Sequence, residues 1–171
     1  MGLKEKLKED LTEAIRSRDE IRVGTIRMVL TAIQVEEVSG NSSRTLEERD
    51  LIKILSREAK KRREAAVAFQ NGGRSEKAKL EIEECEIINS YLPKQLTDNE
   101  INEIIKRAIE SSGVKSVSQL GIVMKIIQPE IAGRADGAIV LELVKLSLLR
   151  DRKSTRLNSS HSQQSRMPSS A

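Results

Sequence analysis

A near-absence of aromatic side chains constrains this chain more than any other feature of its sequence. Phe69 and Tyr91 are the only aromatic residues among 171, while 37% of the chain is hydrophobic. A core must therefore be built from Leu, Ile, Val and Ala, which favours helices packed on helices. The same scarcity leaves few rings on which the bases of a nucleic acid could stack.

The apolar residues recur at steps of three and four, which is the period of an amphipathic helix. We predict an all-α protein: an N-terminal helical part with a long antiparallel helical hairpin, then a smaller C-terminal three-helix part. The third and fourth helices form the hairpin, and their buried stripes include Ile52 and Ile82 respectively. The predicted helices span about 3–17, 20–38, 46–71, 75–92, 98–111, 117–128 and 137–150.

Polar residues and a proline predict several helix ends. Asp19 should cap the second helix by accepting a hydrogen bond from an exposed amide. Thr45 and Thr97 each precede a glutamate by three residues, which is the spacing of a capping box at a helix start. Pro129 should end the sixth helix, because proline lacks the amide that a helix interior needs.

A proline-containing elbow divides the chain into two parts. Pro93 should end the fourth helix, because it cannot donate a backbone hydrogen bond and disfavours helical geometry in the preceding residue. We expect Tyr91 to pack at this joint. The predicted organisation is an N-terminal helical part over 1–92, an elbow over 93–97, a C-terminal tail-type helical part over 98–151 and a disordered, non-native tail over 152–171.

The last twenty residues differ in composition from the rest of the chain. Seven of them are serine, four are basic and none is acidic, so the body over 1–151 holds 26 basic and 26 acidic residues. Without a periodic apolar pattern, this tail cannot bury enough surface to fold. It also resembles read-through from vector sequence, so we exclude it from the functional interpretation. The alternative is a native basic tail, which a peptide covering 157–166 in mass spectra of the endogenous protein would demonstrate.

Few residues of the kind that catalyse reactions are present. The only histidine, His161, lies in the tail, so the body cannot form a Ser–His or Cys–His pair. The only cysteine, Cys85, lies on an apolar stripe, which indicates a buried structural thiol and excludes an internal disulfide or a multi-cysteine metal site. No phosphate loop of the Walker type occurs. We therefore assign no catalytic residue.

The acidic residues and the apolar runs point away from a metal site and a membrane. Glu81, Glu83, Glu84 and Glu86 lack the spacing of a calcium-binding loop, and we interpret them as a solvated helix face. No apolar run approaches the length of a membrane span, and the first residues do not form a signal-peptide pattern. We therefore predict no metal, no cofactor and no membrane association, and a cytoplasmic location.

A group of basic residues lies on one sector of the third helix. At about 100° per residue, Lys53, Arg57, Lys60 and Lys61 fall opposite the apolar stripe, whereas Arg62 falls near it and would have to snorkel. A positive stripe of this kind can follow phosphates without reading bases. The alternative is an ordinary solvated helix face on which acidic residues alternate with the basic ones. When this stretch is considered alone, the zero net charge of residues 1–151 favours that alternative.

Two motifs together resemble a known family. They are the segment 91–96, Tyr-Leu-Pro-Lys-Gln-Leu, and the segment 133–137, Gly-Arg-Ala-Asp-Gly, which precedes the final apolar helix. The segment 55–62, Leu-Ser-Arg-Glu-Ala-Lys-Lys-Arg, also fits. From residue 1 to about 150, the chain resembles the YqeY (GatB/YqeY-like) family.

The resemblance implies an all-helical protein of two parts. Its C-terminal part is similar to the tail domain of the GatB subunit of the glutamine-dependent aspartyl/glutamyl-tRNA amidotransferase, an accessory that engages tRNA. The implied function is a non-catalytic, tRNA-associated module whose stripe on the third helix contacts phosphates. In the C-terminal part, Lys115, Lys125 and Arg134 could add phosphate contacts near helix ends.

Two further functions remain open. One is a component of glutamine-dependent amido transfer that acts in trans with amidotransferase subunits, since the family is associated with carbon–nitrogen ligase activity that uses glutamine as amido donor. The other is a protein–protein adaptor that uses the apolar last helix around Leu141, Val144 and Leu148. Burial of these three side chains within the monomer would remove the reason for the adaptor.

Overall fold

The computed structural model describes the backbone of residues 2–40 and 42–164, and the side chains of 2–40 and 42–152. Over these residues the chain is helical and has no strand, which confirms the all-α prediction. A short 3₁₀ helix, Val117–Gln119, precedes α6. The α-helices are α1 (Leu3–Arg16), α2 (Glu20–Val38), α3 (Glu48–Asn71), α4 (Ser75–Asn89), α5 (Asp98–Ser112), α6 (Leu120–Ile131) and α7 (Gly137–Gln164).

The chain divides into two compact units, Met1–Gln95 and Leu96–Ala171, which we call unit 1 and unit 2. Unit 1 contains α1 to α4, and its core is a cluster of aliphatic side chains contributed by all four helices. Burial of such side chains is the main stabilising contribution in a fold of this kind. Its largest fully buried members are Leu7, Ile26, Ile33, Leu55 and Ile88.

Helices α3 and α4 pack along each other and are joined by a short turn. Gly73 adopts a left-handed backbone in this turn, with φ of 73°, a conformation that glycine adopts without steric cost. The buried thiol of Cys85 lies 3.5 Å from the carbonyl oxygen of Ala59, so the two backbones approach closely there. Two predicted core positions are wrong: Ile82 is 49% exposed, and Ile52 is half-buried while Leu51 and Ile54 are buried. Helix α3 also contacts α1 and α2, which turns its buried sector. On α4, Glu81 and Glu84 turn toward Arg62 of α3, which leaves Ile82 outside.

Unit 2 contains α5, the 3₁₀ helix, α6 and α7 around a second aliphatic core. Thr97 and Glu100 form the predicted capping box at the start of α5, with the Glu100 carboxylate 2.8 Å from the Thr97 amide. The helix ends at Gly113 in left-handed geometry, with φ of 69°. Outside the helices, the Leu96 amide donates a hydrogen bond of 2.8 Å to the Arg134 carbonyl, which ties the entry of α5 to the loop before α7.

The start of α3 and the end of α6 differ from the prediction. Thr45 does not begin α3. Leu46 is buried, Glu47 is extended, and the helix starts at Glu48 with the Asp50 carboxylate accepting from the Glu47 amide at 3.3 Å. Helix α6 continues through Pro129, because burying Ile131 in the unit 2 core compensates for the one backbone hydrogen bond that proline removes.

The last helix is longer than the sequence predicted. We expected it to end near residue 150 and disorder to begin at 152, but the helical backbone of α7 runs to Gln164. Adding a residue to an existing helix requires no new nucleation, and 152–164 contain neither proline nor glycine. The remaining part of the predicted tail, 165–171, lies outside the described residues.

Candidate nucleic-acid interface

The outer side of α3 carries the basic residues that the sequence placed on one sector. Lys53, Arg57 and Lys61 are exposed, and Lys60 is half-buried. They lie on this side because Leu51, Leu55 and other apolar residues of α3 turn toward the core of unit 1. The four cations therefore line part of the accessible surface of one rigid helix.

Several of these cations already have anionic neighbours. The Arg57 guanidinium lies 3.5 Å from a carboxylate oxygen of Glu36 on α2, and the Lys61 ammonium donates to Glu58 at 2.9 Å. Lys60 also interacts with a neighbouring group. Lys53 makes no ion pair with any residue that the structure describes. The Arg57–Glu36 pair is largely exposed, and such pairs contribute about 0–1 kcal/mol, so a phosphate could replace the Glu36 carboxylate at small cost. The Glu58 carboxylate is buried, so its contact with Lys61 would be costly to lose.

Arg62, one position beyond this stripe, turns inward. Its guanidinium lies between two carboxylates of α4, with Nε 3.3 Å from Glu84 and Nη1 3.8 Å from Glu81. The three side chains are only 15%, 19% and 18% exposed, in the order Arg62, Glu84, Glu81. The prediction of a solvated acidic face is therefore wrong for Glu81 and Glu84, and we call these three residues the Arg62 cluster.

The Arg62 cluster is electrostatically strained. Burial raises the pKa of Glu84, the nearby Glu81 carboxylate raises it further, and the Arg62 guanidinium opposes both effects. Two carboxylates share one cation, so loss of that cation would leave like charges facing each other in a half-buried site. Arg62 is consequently a structural residue, and the stripe on the outer side of α3 ends at Lys61.

The three candidate contacts in unit 2 lie in different local settings. Lys115 is exposed and lines a depression of about 500 Å³ whose floor includes Ile109 and Val114. Lys125 is exposed on α6. Arg134 is half-buried, and its guanidinium lies 3.5 Å from the carbonyl oxygen of Glu130. Lys115 and Lys125 carry no ion pair to residues in the described ranges, which leaves both ammonium groups accessible.

Tyr91 belongs to a polar cluster in unit 1 that the sequence did not reveal. Its hydroxyl donates to the Asp10 carboxylate at 2.5 Å, and the Arg22 guanidinium lies 3.6 Å from the same carboxylate. The Lys6 ammonium lies 5.7 Å from the ring centroid. Because Tyr91 also packs against the unit 1 core, its ring is part of the fold rather than a free platform for a base. We call Asp10, Arg22 and Tyr91 the Tyr91 cluster.

The electrostatics of the Tyr91 cluster favour a protonated phenol. Burial, reinforced by the hydrogen bond to Asp10, raises the pKa of Tyr91 to about 12, against a smaller opposing effect of Arg22. The hydrogen bond with Tyr91 also raises the pKa of Arg22. Tyr91 is therefore neutral and Arg22 charged throughout the physiological range. No local signal in the sequence could have found this contact, since 81 positions separate Tyr91 from Asp10.

The side chains that motivated the adaptor hypothesis lie within the fold. Val144 and Leu148 are 0% and 1% exposed in the unit 2 core, and Leu141 is half-buried. Packing inside this unit thus accounts for the side chains on which the adaptor hypothesis was based, and the hypothesis no longer has their support. Three other apolar residues of the same helix are exposed: Ile139, Leu146 and Leu149.

Neither a metal site nor a membrane span is found in the part of the chain that the structure describes. No group of three or more His, Cys, Asp or Glu side chains there could hold a metal ion. Likewise, no helix among those residues is long and apolar enough to cross a membrane.

Comparison with known proteins identifies related sequences. The sequence model of the YqeY family, described as Yqey-like protein, matches residues 4–148. The chain is 30% identical over 129 residues to Altered inheritance of mitochondria protein 41, mitochondrial, of Clavispora lusitaniae, and the alignment covers 74% of each protein. It is 27% identical over 104 residues to the protein of the same name from Candida glabrata, covering 61% of this chain and 57% of that protein.

Proposed function

Because the chain belongs to the YqeY-like family, we propose that it is a non-catalytic helical accessory module that associates with tRNA. The observation that carries the proposal is the outer side of α3, where Lys53, Arg57 and Lys61 are exposed on one helix. In this proposal α3 and α4 form the long antiparallel hairpin, and α5 to α7 form the smaller three-helix part. The stripe is then presented on a helix that the Arg62 cluster holds against α4.

The stripe would contact the sugar–phosphate backbone rather than the bases. An α-helix rises about 1.5 Å per residue, so Lys53 to Lys61 span roughly 12 Å. Such contacts release counterions, which makes the affinity fall as salt rises and gives no sequence preference. The ion pair of Arg57 with Glu36 would be exchanged for a phosphate contact on binding, whereas Lys61 would bind a phosphate while keeping its contact with the buried Glu58 carboxylate.

Filter binding to total tRNA at a series of salt concentrations tests this function. Replacing Lys53, Arg57, Lys60 and Lys61 with alanine should lower affinity by at least about tenfold at low salt. The slope of log affinity against log salt should fall by about one for each phosphate that the variant no longer neutralises. The matched control replaces four exposed cations of unit 1 that lie on other helices or in the turn before α4 with alanine: Lys8, Arg74, Lys77 and Lys79. No binding, or the same affinity in both fourfold variants, would overturn the proposal.

Unit 2 would supply additional phosphate contacts through Lys115, Lys125 and Arg134. The first two suit this role because their ammonium groups are exposed. Arg134 would contribute from the loop before α7, where its carbonyl accepts the hydrogen bond from the Leu96 amide. Alanine at Lys115 or Lys125 should each reduce the salt slope by about one, whereas an unchanged slope would remove that residue from the interface.

A second proposed role is participation in glutamine-dependent amido transfer in trans, with amidotransferase subunits as partners. It rests on the resemblance of the segments around Pro93 and Arg134 to the tail of the GatB subunit. Amidation of mischarged tRNA by the amidotransferase should then change when this chain is added, and the subunits should co-purify with it. An unaltered amidation rate together with a pull-down that lacks the subunits would argue against this role.

The cellular location also belongs to the proposal. The sequence predicts a cytoplasmic protein, whereas the names of both relatives describe them as mitochondrial. Both compartments contain tRNA, so the proposed function is compatible with either. Fluorescence microscopy of the endogenously tagged chain, with a mitochondrial marker where the host has mitochondria, decides between them.

A further inference from the structure

A depression in unit 1 lies where α1 turns into α2, and none of its lining residues belongs to the α3 stripe. Its volume is about 460 Å³, which falls within the range of roughly 300–1,000 Å³ typical of small-molecule sites. Its lining combines apolar surface with three charged side chains. The lining residues are Ile15, Arg18, Glu20, Val23, Gly24 and Arg27.

The charged side chains of this depression are not paired with other residues that the structure describes. Arg18, Glu20 and Arg27 are exposed, and none of the three forms an ion pair or a side-chain hydrogen bond to another described residue. Although all three line the same depression, Glu20 forms no ion pair with Arg18 or Arg27. Other cations of the unit, such as Arg57 and Lys61, do have carboxylate partners. The depression therefore offers two guanidinium groups and one carboxylate to a ligand.

Two of the lining residues are types that their local backbone does not favour. Arg18 has φ of 59°, in the left-handed region where glycine is the preferred residue. Gly24 lies in the second turn of α2, although glycine is among the poorest helix formers. A Cβ added to Gly24 would meet nothing within 4 Å, so packing inside the protein does not require glycine there. What Gly24 does provide is room for an external group to approach the helix backbone.

We propose that this depression binds a phosphorylated ribose, the unit carried by a nucleotide. The planar guanidinium groups of Arg18 and Arg27 would hold the phosphate, since they match its oxygens in a bidentate manner. Glu20 would accept hydrogen bonds from ribose hydroxyls. Ile15 and Val23 supply an apolar floor, and Gly24 lets the sugar lie close to α2. This site uses none of the residues of the α3 stripe, so it stands independently of the proposed tRNA contacts.

Isothermal titration of the full chain with ribose, inorganic phosphate, ribose 5-phosphate and AMP tests the proposal. Ribose 5-phosphate and AMP should bind in a saturable manner and more tightly than inorganic phosphate, and ribose should not bind. Saturable binding of neither phosphorylated compound at millimolar concentration would overturn the proposal.

Two variants separate binding from folding. Arg18→Gly should lower the affinity for AMP by about tenfold, because a hydrogen bond to a charged group is lost, while the melting temperature stays the same or rises because the left-handed turn is relieved. Gly24→Ala should also weaken binding, by placing a methyl group in the depression, and should raise the melting temperature. The matched control is Arg74→Gly, an exposed arginine outside the depression. Equal AMP affinity in Arg18→Gly and in the control would overturn the site.

Comparing the effect of Arg18→Gly on the affinity for AMP and on the affinity for tRNA decides where the phosphorylated ribose comes from. If Arg18→Gly weakens both, the site takes a nucleotide of a polynucleotide chain; if it weakens AMP alone, the ligand is a free nucleotide. The fourfold α3 variant should retain AMP binding, so failure of the tRNA proposal and failure of this one give different results. Binding of an aspartate-rich peptide that depends on Arg18 and Arg27, without binding of AMP, would replace the phosphate assignment with an acidic protein partner.

Discussion

Unit 1 and unit 2 have aliphatic cores of similar composition, but they differ in where their charged residues lie. The core cluster of unit 2 consists of Ile, Val, Ala and Leu side chains. Both polar residues that are buried in the described part of the chain, Thr25 and Glu58, lie in unit 1. The Arg62 cluster and the Tyr91 cluster, which bring charges together between helices, also lie there.

The difference shows two ways of aligning helices when aromatic side chains are scarce. Aliphatic packing stabilises in proportion to the area buried and tolerates changes of similar volume. Ion clusters add little net free energy, because desolvation offsets attraction, but removing one member is costly. Unit 2 should therefore respond mainly to changes in core volume, and unit 1 also to changes in charge, pH and salt.

The largest expected effect is a cavity in the unit 2 core. Ile127 is 1% exposed, and Ile127→Ala should lower the free energy of unfolding by about 3 kcal/mol, through lost burial and an unfilled cavity. Urea denaturation followed by circular dichroism measures this loss, which should not depend on salt. Ile127→Val is the control and should lose about 1 kcal/mol. A similar loss for both variants would mean that the site collapses around the deletion.

The matching change in unit 1 removes a charge. Arg62→Met should lower the free energy of unfolding by about 2–3 kcal/mol at neutral pH, because Glu81 and Glu84 are left uncompensated. The loss should shrink in acid, as the Glu84 carboxylate takes up a proton and no longer needs the Arg62 cation. Glu84, whose raised pKa reflects its burial, should protonate before an ordinary glutamate does.

Restoring neutrality provides the control for this variant. Combining Arg62→Met with Glu81→Gln and Glu84→Gln should recover most of the stability, because the neutral set no longer carries unpaired charge. If the triple variant were as unstable as the single one, Arg62 would act through packing of its aliphatic stem rather than through its charge.

A smaller effect is expected at the Tyr91 cluster. Tyr91→Phe should cost about 1–2 kcal/mol, since it removes a hydrogen bond to a charged carboxylate. The folded protein holds the pKa of Tyr91 at about 12, above its ordinary value of 10.0. A raised pKa means that the folded state binds the proton more tightly, so this contribution is complete below pH 10 and is lost between pH 10 and about 12.

The pH dependence is measured as the difference between wild type and Tyr91→Phe, which cancels the titration of lysines. Denaturation at several pH values should show a constant difference up to about pH 10 that then narrows. A difference that stays constant to pH 12 would contradict the buried hydrogen bond. Asp10→Asn is the partner control, and it should weaken the same cluster.

The smallest effect should come from exposed cations, one in each unit. Lys53→Ala and Lys125→Ala should each change the free energy of unfolding by less than about 0.5 kcal/mol, because neither side chain is buried or ion-paired among the described residues. Thermal denaturation measures this. Any drop in tRNA affinity in these variants then reports a missing phosphate interaction, and a large loss of stability would show that the cation has a structural role.

Local signals predicted the helices well, because their determinants lie close together in the chain. Helix α2 spans Glu20–Val38 as expected, with the Asp19 carboxylate accepting from the Arg22 amide at 3.1 Å. The capping box of Thr97 is likewise complete within four residues. The accessible side of α3 could also be predicted, since the angular position of Lys53 and Arg57 follows from the apolar stripe of the same helix.

Features that depend on a second helix could not be predicted in this way. Placing Ile82 inside and Glu81 outside is as consistent with helical periodicity as the reverse, and only contact with Arg62 of α3 decides between them. The depression of Arg18 and Arg27 needs Ile15 of α1 beside Gly24 of α2, which no spacing within one helix indicates. A helix-breaking proline was similarly overridden at Pro129, where burial of Ile131 prolongs α6.

The hydrogen bond from the Leu96 amide to the Arg134 carbonyl has a consequence for exchange with solvent deuterium. Leu96 precedes α5 and lies in no helix, so its amide would ordinarily exchange as fast as that of any loop. Bonded at 2.8 Å to a residue 38 positions later, it can exchange only when the loop before α7 detaches from the entry of α5. Its exchange rate is therefore a single-site measure of how often unit 2 opens at that end.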